Sequence, residues 1–385
     1  MQPSSIKLTI AESTFEYFQV LPERTAIVYK ASFLICVFTF LSSLTHAQER
    51  QVELVASGLQ SPWALEQIDH QTLVITEKTG HVGLLNLVTK EYSRIANIDD
   101  ATLHGQGGLL DVAVSPFAAN TLYFTFSKQT TRGYATALAK ANLKGQQLIN
   151  WRNLLTSQSG SDTGRHFGSR ITFDKEYLYL SIGDRGIREN GQDLSTHAGT
   201  IIRLYPDGSV PKDNPFIGQS DALPEIWSYG HRNPQGLFYD HKEQTLWSIE
   251  HGPRGGDEVN LIQKGKNYGW PRASHGKEYW GPLSVGEAEE LPGMESPRKV
   301  YIPSIAPSSL ILYRGTQYPE LNGKLIAGAL KLTHLNVLTI DSNQQITNED
   351  RVLESLNERI RDVLALKNGE IMIATDQGHI YRLVP

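Results

Sequence analysis

Cysteine is almost missing from this chain of 385 residues, and the single one, Cys36, lies in an apolar segment near the N-terminus. The rest of the chain therefore has no disulfide bonds and no thiolate ligands for a structural zinc ion. It also has no H-x-x-x-H pair or similar spacing of histidines. These absences exclude the common zinc sites, and a cysteine-free exported protein suits a bacterial periplasm.

A basic surplus is missing as well, because 36 Lys and Arg stand against 41 Asp and Glu, for a formal net charge of -5. This balance argues against a nucleic-acid partner. The sequence contains no Walker loop, no G-x-S-x-G and no G-x-G-x-x-G that opens a helix. The glycine-rich "GPRGGDE" follows a strand without a βαβ unit, so we exclude a nicotinamide site.

Long apolar runs are missing except for "ASFLICVFTFLSSLTHA", which follows Lys30 and ends in small and polar residues at Ala47. The run is too short for a membrane span and has the three-part layout of a secretory signal. We therefore predict a signal region at residues 1–47, with an open start site, and export to the periplasm or the medium. The alternative is an uncleaved anchor; on the signal interpretation the mature chain has no stable membrane insertion.

Helical periodicity is not apparent from Arg50 onward, and a repeated strand–turn–strand unit is present instead. Apolar and polar residues alternate within each unit, and Gly, Asp, Asn or Pro bound it. The second strands of the units begin near Leu73, Leu122, Leu178, Leu246, Leu325 and Ile371. A repeat of this length with several strands per unit favours a propeller over a sandwich. We predict an all-β, single-domain, six-bladed β-propeller with inserted loops at residues 48–385.

The last segment, "GHIYRLVP", resembles a lone strand after the sixth unit. Pairing the two chain ends within one blade would close the ring and remove open sheet edges. The alternative is that this strand completes its own blade.

Unusual polar side chains lie next to the repeated strands, where the loops of a propeller converge on one end of the channel. They are Gln106, His166, Arg170, Arg232, Asn233, Lys331, Arg359 and Arg361. Each alone has an ordinary structural explanation, such as a turn contact or a solvated face. Together, Arg232, Lys331, Arg359 and Arg361 would repel one another unless an anion lay among them, and arginine matches planar carboxylates.

The segment "EHGPRGGDEVN" has features of a hard-cation site. The carbonyls of Gly252 and Pro253, with the carboxylates of Asp257 and Glu258 nearby, are oxygen donors of the kind that calcium prefers. As a motif it is weak, because acidic glycine-rich turns are common.

Several of these segments resemble one known family. "GQGGLLDVAVSP", "RHFGSRITF", "YGHRNPQGL", "EHGPRGGDEVNLIQKGKNYGWP", "APSS" and "RIRDV" are similar to the soluble sugar dehydrogenases that depend on pyrroloquinoline quinone (PQQ), and most similar to their aldose sugar dehydrogenase branch. The resemblance runs from about Glu53 to Pro385 in the same order throughout. It implies a six-bladed propeller, which agrees with the count of repeats.

The resemblance also implies a role for each matching residue. His166 matches the general base that takes the proton of the C1 hydroxyl, and Arg232 and Asn233 match residues at the carbonyl end of the quinone. Gln106, Lys331, Arg359 and Arg361 match positions that hold the cofactor. The carbonyls of Gly252 and Pro253 match calcium ligands. Glu258 and Tyr268 are candidates for a second calcium ion, and Tyr279 is a further candidate for the same ion.

Two positions depart from the glucose-specific branch, since Arg165 stands where that branch has Asp and Ile302 stands where it has Trp. These departures favour an open site of broad specificity. The expected activity is oxidation of the C1 hydroxyl of an aldose sugar to the lactone, with PQQ, calcium and an external electron acceptor, by a monomer or homodimer. The alternatives are a calcium-dependent lactonase on a similar propeller and a non-catalytic propeller that binds a ligand.

Overall fold

Six four-stranded antiparallel sheets form the protein in a computed structural model that describes residues 50–385. Each sheet is one blade, as the sequence repeat predicts. The only helices among these residues are three short 3₁₀ segments, at Arg188–Gln192, Pro319–Leu321 and Glu354–Leu356. The fold is therefore the predicted all-β, six-bladed β-propeller.

The first five blades follow the chain in order after an N-terminal strand, β1 (Val52–Ala56). Blade 1 contains β2 (Pro62–Gln67), β3 (Thr72–Glu77), β4 (His81–Asn86) and β5 (Tyr92–Asn97). Blade 2 contains β6 (Leu109–Val114), β7 (Thr121–Thr130), β8 (Gly133–Lys144) and β9 (Gln147–Thr156). Blade 3 contains β10 (Ile171–Phe173), β11 (Leu178–Ile182), β12 (Thr200–Leu204) and β13 (Ile226–Tyr229).

Blade 4 contains β14 (Pro234–Asp240), β15 (Thr245–Glu250), β16 (Asp257–Ile262) and β17 (Lys299–Tyr301). Blade 5 contains β18 (Pro307–Leu312), β19 (Lys324–Ala329), β20 (Leu335–Ile340) and β21 (Ile346–Val352). Blade 6 contains β22 (Ile360–Ala365), β23 (Ile371–Thr375) and β24 (Ile380–Leu383), with β1 as its fourth strand.

All six predicted second strands are present, and most of their residues are buried. β11 is buried along its whole length, and β3 and β15 are buried at every position after the first. A strand that is covered on both faces by neighbouring sheets reads as a nearly continuous apolar run. The outer strand β9 has no buried residue, and all of its positions are exposed or half-buried.

The ring is closed by the N-terminal strand. β1 pairs antiparallel with β24, so that Val52 lies opposite Leu383 and Leu54 opposite Tyr381. β24 also pairs with β23 inside its own blade. Both sequence interpretations of "GHIYRLVP" therefore hold: the segment completes its blade, and it pairs with the other end of the propeller domain.

Arg170 joins all six blades at the central axis. It directly precedes the inner strand β10 of blade 3 and is 5% exposed. Its guanidinium contacts at least one residue from each of the other blades: Trp63, Asp111, Gln235, Ser308, and both Arg361 and Asp362 of blade 6. Its Nη1 lies 3.0 Å from a carboxylate oxygen of Asp111 and 3.0 Å from one of Asp362.

Two cavities lie along the axis. One of about 390 Å³ is lined by the six inner strands and by Arg170 itself. The other, the upper cavity, has a volume of about 260 Å³ and includes Trp63 in its wall. Arg170 lies against that tryptophan ring, 4.1 Å from its centroid.

The predicted signal region, residues 1–47, lies outside the described residues, so the domain boundary stays a prediction. Within residues 50–385, no helix has the length and the apolar character needed to cross a membrane.

Candidate functional site

The upper cavity is built from loops at one end of the channel. Because the first and second strands of a blade are antiparallel, the residue before the first strand and the residue after the second strand lie at the same end. Six blades thus bring twelve short segments towards the axis. The polar residues that line the upper cavity are Lys78, Gln106, Asn233, Gln235, His251, Arg359, Arg361 and Asp376.

The structure brings most of the predicted cofactor residues together. Gln106, Asn233, Arg359 and Arg361 all line the upper cavity. Lys331 does not: its side chain is exposed, and the preceding residue, Leu330, provides the wall at this point. Lys331 follows the second strand of its blade by two residues, one residue beyond the position that lines the cavity.

His166 lies in a loop that three amide side chains hold in place. It has a left-handed backbone with φ of 57°, an uncommon conformation for a residue with a Cβ atom. Its backbone N–H donates to Oε1 of Gln106 at 2.8 Å. Two residues further, the N–H of Gly168 donates to Asn233 at 3.2 Å, and its carbonyl accepts from Gln235 at 3.0 Å. Gln106 and Asn233 therefore support the loop as well as lining the cavity.

The imidazole of His166 is oriented by a carboxylate that the sequence interpretation missed. Its Nδ1 lies 2.6 Å from Oδ1 of Asp184. That carboxylate also accepts from the N–H of Gly186 at 2.7 Å and from the indole of Trp270 at 2.8 Å. Since an ionised carboxylate only accepts, Nδ1 carries the proton. The lone pair is then on Nε2, which has no protein partner in the described part of the chain.

The protonation of His166 is set by opposing influences. Burial lowers the pKa of its imidazole below the ordinary 6.5, the hydrogen bond to Asp184 works against this, and the charge of Arg232 lowers the pKa further. The net direction is downward, so the neutral ring is the state at neutral pH. A neutral ring with a free Nε2 lone pair is able to accept a proton.

Arg359 and Arg361 share one carboxylate, Asp376. Arg361 donates through Nε to Oδ1 at 2.8 Å, and Arg359 donates through Nε to Oδ2 at 2.9 Å. Burial alone would raise the pKa of Asp376, but the two guanidinium groups outweigh it and hold the pKa below its usual range. Asp376 thus supplies part of the negative charge that the two arginines require. The sequence interpretation did not predict this carboxylate.

Positive charge still exceeds negative charge in this wall, because Lys78 is a third cation. Its Nζ donates to the carbonyl of Gly105 at 2.7 Å. Burial lowers the pKa of Lys78, and the charge of Arg361 lowers it further. Three cations around one carboxylate form a wall that suits an anionic ligand, and Arg361 and Arg359 offer the planar geometry that matches carboxylates.

The segment Gly230–Leu237 combines structural and cavity-facing residues. His231 is fully buried, with Nδ1 2.9 Å from Glu250 and Nε2 2.9 Å from Ser228. The backbone N–H of Arg232 donates to the same Glu250 carboxylate at 2.8 Å. This clamp fixes the loop so that Asn233 lines the cavity.

The guanidinium of Arg232 occupies the position next to the predicted calcium ligands. Its Nη1 donates to the carbonyl of Gly252 at 2.8 Å and to that of His251 at 3.1 Å. Its Nη2 lies 3.5 Å from the hydroxyl of Tyr279. The group also lies over the ring of Trp270, 5.3 Å from the centroid, so that Trp270 contacts both Arg232 and Asp184.

The chemistry of this segment fits a hard cation. Gly252 and Pro253 present carbonyl oxygens, the second of which accepts from Ser304 at 3.1 Å. Each oxygen of Asp257 accepts one backbone N–H group, at 2.9 and 2.8 Å. The turn is tight: a Cβ atom at Gly252 would overlap the carbonyl of Gly256. Because the Gly252 carbonyl already accepts a hydrogen bond from Arg232, a calcium ion bound to that carbonyl would share its oxygen with Arg232.

The residues predicted for a second calcium ion separate into two places. Glu258 and Tyr268 line one small cavity of about 10 Å³, together with Glu250. Burial raises the pKa of Glu258 well above its ordinary value, and the charge of Glu250 raises it further. Nearby, Asn260 donates to both carboxylates while its buried Oδ1 has no partner. Oxygen donors with an unmatched carbonyl fit a hard cation.

Tyr279 does not belong to that cavity. Its side chain is 64% exposed, and its hydroxyl lies beside Arg232. No group of three or more His, Cys, Asp or Glu side chains in residues 50–385 is placed to hold a metal ion. Gly252 and Pro253 line the same small cavity as Glu250 and Glu258, so the oxygen donors at this position are backbone carbonyls and two carboxylates.

Four residues of the site were missed: Lys78, Asp184, His251 and Asp376. Each one follows the second strand of its blade by one or two residues. The prediction of Lys331 rests on that position, and the same rule applied to every blade points to all four residues. His251 is neutral, because burial lowers the pKa of its imidazole to about 3, and its Nε2 lies 2.6 Å from the carbonyl of Pro307.

Comparisons with a family profile and with known proteins agree on one family. The sequence profile described as "Glucose / Sorbosone dehydrogenase" matches residues 59–382. Aldose sugar dehydrogenase YliI of Escherichia coli (strain K12) is 35% identical over 370 residues, which cover 93% of this chain and 100% of that protein. Quinoprotein glucose dehydrogenase B of Acinetobacter calcoaceticus is 26% identical over 408 residues, which cover 84% of this chain and 85% of that protein.

Solved structures agree with this. The apo-form of the soluble aldose sugar dehydrogenase from Escherichia coli has a TM-score of 0.84 at 35% identity, covering 87% of this chain and 99% of that one. The PQQ-bound form of the aldose sugar dehydrogenase from Streptomyces coelicolor has a TM-score of 0.72 at 24% identity, covering 87% and 98%, which is a likeness of fold. The profile match across most of the chain and the 35% identity to a full-length relative place this protein in the glucose/sorbosone dehydrogenase family.

Proposed function

We propose that the protein oxidises the C1 hydroxyl of aldose sugars to the lactone, with pyrroloquinoline quinone and calcium as cofactors and with broad sugar specificity. The observation that carries the proposal is the pairing of His166 and Asp184 beside a cavity whose wall has three cations and one carboxylate. A base next to an anion-binding pocket suits proton removal from a substrate that lies against a multiply charged cofactor.

In this proposal the upper cavity holds the cofactor. Arg359, Arg361 and Lys78 face its carboxylates, Asn233 and Arg232 lie at its carbonyl end, and the carbonyls of Gly252 and Pro253 hold calcium. When bound, the quinone supplies the acceptor for the two electrons and the hydrogen that leave C1 of the sugar. The names of the quinoprotein relative and of the PQQ-bound structure support this choice of cofactor.

The catalytic work of the chain is proton transfer and electrostatic stabilisation. Nε2 of His166 accepts the proton of the C1 hydroxyl, while Asp184 keeps the ring in the required tautomer and stabilises the imidazolium that forms. Arg232 provides positive charge in a buried position where negative charge develops, which typically accounts for about a 100- to 1000-fold effect on rate per donor. The sugar loses a proton from oxygen and a hydride from C1, which leaves the lactone.

Location and partners form part of the same proposal. The predicted signal region places the enzyme in the periplasm or outside the cell, as a monomer or homodimer. An external acceptor takes the electrons after each turnover. The side chains of Arg165 and Ile302 are both exposed. Exposed residues at these two positions favour an open site that admits several aldoses.

The test is to load the purified protein with PQQ and calcium and to measure dye reduction with a panel of aldoses. We expect turnover with several sugars and none with His166→Gln. The matched control is His70→Gln, which changes an exposed histidine in a turn of blade 1. No turnover with any sugar would reject the proposal, and hydrolysis of a lactone by the quinone-free protein would favour the lactonase alternative instead.

A further inference from the structure

The axial cavity of about 390 Å³ that Arg170 lines, here called the lower cavity, takes no part in the proposed reaction. Its wall also includes Pro116 and His241, which are exposed and stand just past the ends of the inner strands β6 and β14. The inner strands begin at the end where the upper cavity lies. The lower cavity therefore opens to solvent at the opposite end of the channel.

The wall of the lower cavity has more carboxylates than cations. Glu66, Asp111 and Asp362 line it, and Arg170 and His241 are the groups in this wall that can carry a positive charge. The guanidinium of Arg170 is shared by the two aspartates, at 3.0 Å from each. Glu66 adds a third carboxylate without a second guanidinium. The lower cavity thus has the opposite charge character from the upper cavity and suits a cationic ligand.

Ser309 adds a buried hydroxyl without a partner. Its side chain is 3% exposed, and its Oγ has no hydrogen-bond partner among the described residues. The inner strands β6, β18 and β22 share one bulge, in which a residue and the third residue after it lie opposite partners only two residues apart. Asp111, Ser309 and Asp362 each hold the third position of this bulge. Ser309 therefore lies at the level where the two aspartates meet Arg170 on the axis.

We propose that the lower cavity binds a primary amine with an apolar body, whose ammonium group lies among Glu66, Asp362 and Ser309. This inference does not rest on the proposed function. An ammonium group has three donors and no acceptor. Two carboxylates and one hydroxyl oxygen are acceptors that match those three donors, and the ligand would provide Ser309 with the hydrogen-bond partner that it lacks.

The rest of the wall favours an organic cation over a bare metal ion. Apart from these polar residues it is mainly apolar, and it includes Val112, Phe173, Leu237, Phe238 and Leu312. No group of three or more His, Cys, Asp or Glu side chains within residues 50–385 is placed to hold a metal ion. An apolar cavity with a few convergent polar groups is typical of a site for a small organic molecule.

Glu66 connects binding to pH. Burial, followed by the charges of Asp111 and Asp362, raises the pKa of its carboxyl to about 8, against smaller lowering effects of the Gln67 N–H and the charge of Lys367. Glu66 is therefore mainly neutral at pH 6.5 and mainly ionised at pH 8.5, while an alkylamine stays protonated at both. Amine affinity should rise about tenfold over this interval, because the ammonium competes with a proton for the carboxylate.

The test is calorimetric titration of the quinone-free protein with hexylamine hydrochloride at pH 6.5 and 8.5, with 1-hexanol as the uncharged comparison. We expect one hexylammonium per chain. Glu66→Gln should weaken binding about tenfold at pH 8.5 and abolish the pH dependence, and Ser309→Ala should weaken binding about threefold. His241→Gln should keep the pH dependence, which separates the carboxyl from the imidazole. Glu176→Gln, at an exposed turn between β10 and β11, is the matched control.

The inference is overturned if hexylammonium does not bind, if 1-hexanol binds as tightly, or if Glu66→Gln binds as the wild type does. It is also overturned if calcium chloride gives a heat that Glu66→Gln abolishes while hexylammonium gives none, since the carboxylates would then hold a metal ion. Ser309→Ala removes no charge, so it tests the same site should Glu66→Gln fail to fold. None of these measurements depends on quinone or sugar, so the proposed function stands or falls separately.

Discussion

Asp184 connects the proposed base to the rest of the protein. Its carboxylate accepts from His166, from the N–H of Gly186 and from the indole of Trp270. Three donors on one buried carboxylate hold the imidazole of His166 in one tautomer and one orientation. Arg232 contacts the same Trp270 ring, so the two groups that we assign to the chemistry share a support.

Asp184→Asn should lower kcat/KM for aldoses about 100-fold or more, because an amide neither fixes the Nδ1–H tautomer nor stabilises the imidazolium. Quinone affinity should change little, since Asp184 does not line the upper cavity. Steady-state assays and a quinone titration on the same preparation separate the two effects. Asp221→Asn, at an exposed turn, is the matched control. Wild-type kinetics in Asp184→Asn would contradict this role.

The pH profile should reflect the lowered pKa of His166. Burial and the charge of Arg232 both disfavour the imidazolium. The base must be neutral, and its neutral fraction falls as the pH drops through its pKa. Because that pKa is lowered from 6.5, the acid limb of kcat/KM should have its midpoint below pH 6.5. A midpoint above pH 7 would show that the titrating group is not His166 in this environment.

The sequence predicted the site residues that lie before the inner strands better than those that follow the second strands. Gln106, His166, Asn233 and the two arginines stand out as polar residues that lie at the start of an inner strand or within five residues before it. The residues that follow second strands are ordinary in the sequence: Lys78 and Asp376 resemble turn residues, and Asp184 lies in "GDRG". Their importance arises only from antiparallel pairing, which returns each second strand to the end where the first began.

β1 is the element on which closure of the ring depends. It supplies the fourth strand of blade 6 and covers the edge of β24. Its own sequence, VELVA, is too short and too common to be recognised as a closing strand. The repeat predicted six blades from their second strands and left pairing of the chain ends as one of two possibilities, and the observed pairing identifies β1 as the closing strand.

A chain that starts at Ser57 should therefore be less stable and more prone to aggregate than a chain that starts at Gln48. The truncation exposes the unpaired edge of β24 and removes the buried side chain of Val55 from the core. Chemical denaturation and light scattering measure the two properties. Equal stability of the two chains would mean that β1 does not close the ring.

The assembly of the six blades centres on Arg170. Its partners Asp111 and Asp362 also accept the backbone N–H groups of Ile171 and Leu65, which belong to the next blade in each case. Burial raises the pKa of Asp111 to about 6 even though the charge of Arg170 lowers it. The sequence indicated Arg170 only as one polar residue beside His166, because contacts with five other blades come from the closed ring.

Arg170→Met should destabilise the protein by about 3 to 5 kcal/mol, since it leaves buried carboxylates without their cation. Without Arg170, the folded-state pKa values of Asp111 and Asp362 rise further above their unfolded values. Stability is then lost as the pH rises, so the cost should be larger at pH 8 than at pH 5. Denaturant unfolding at both pH values provides the test, with Arg132→Met in an exposed turn as control. A cost below 1 kcal/mol at pH 8 would refute the role of Arg170.

The central claim for the whole molecule is that the upper cavity holds a flat, multiply anionic quinone beside His166. Absorbance titration of the purified protein with PQQ, with and without a calcium chelator, tests it most directly. We predict a saturable spectral change at one quinone per chain in the presence of calcium, weakened by the chelator and at least tenfold weaker in Arg361→Met, which loses a charged, planar partner. No spectral change, or the same affinity in Arg361→Met, would contradict the account.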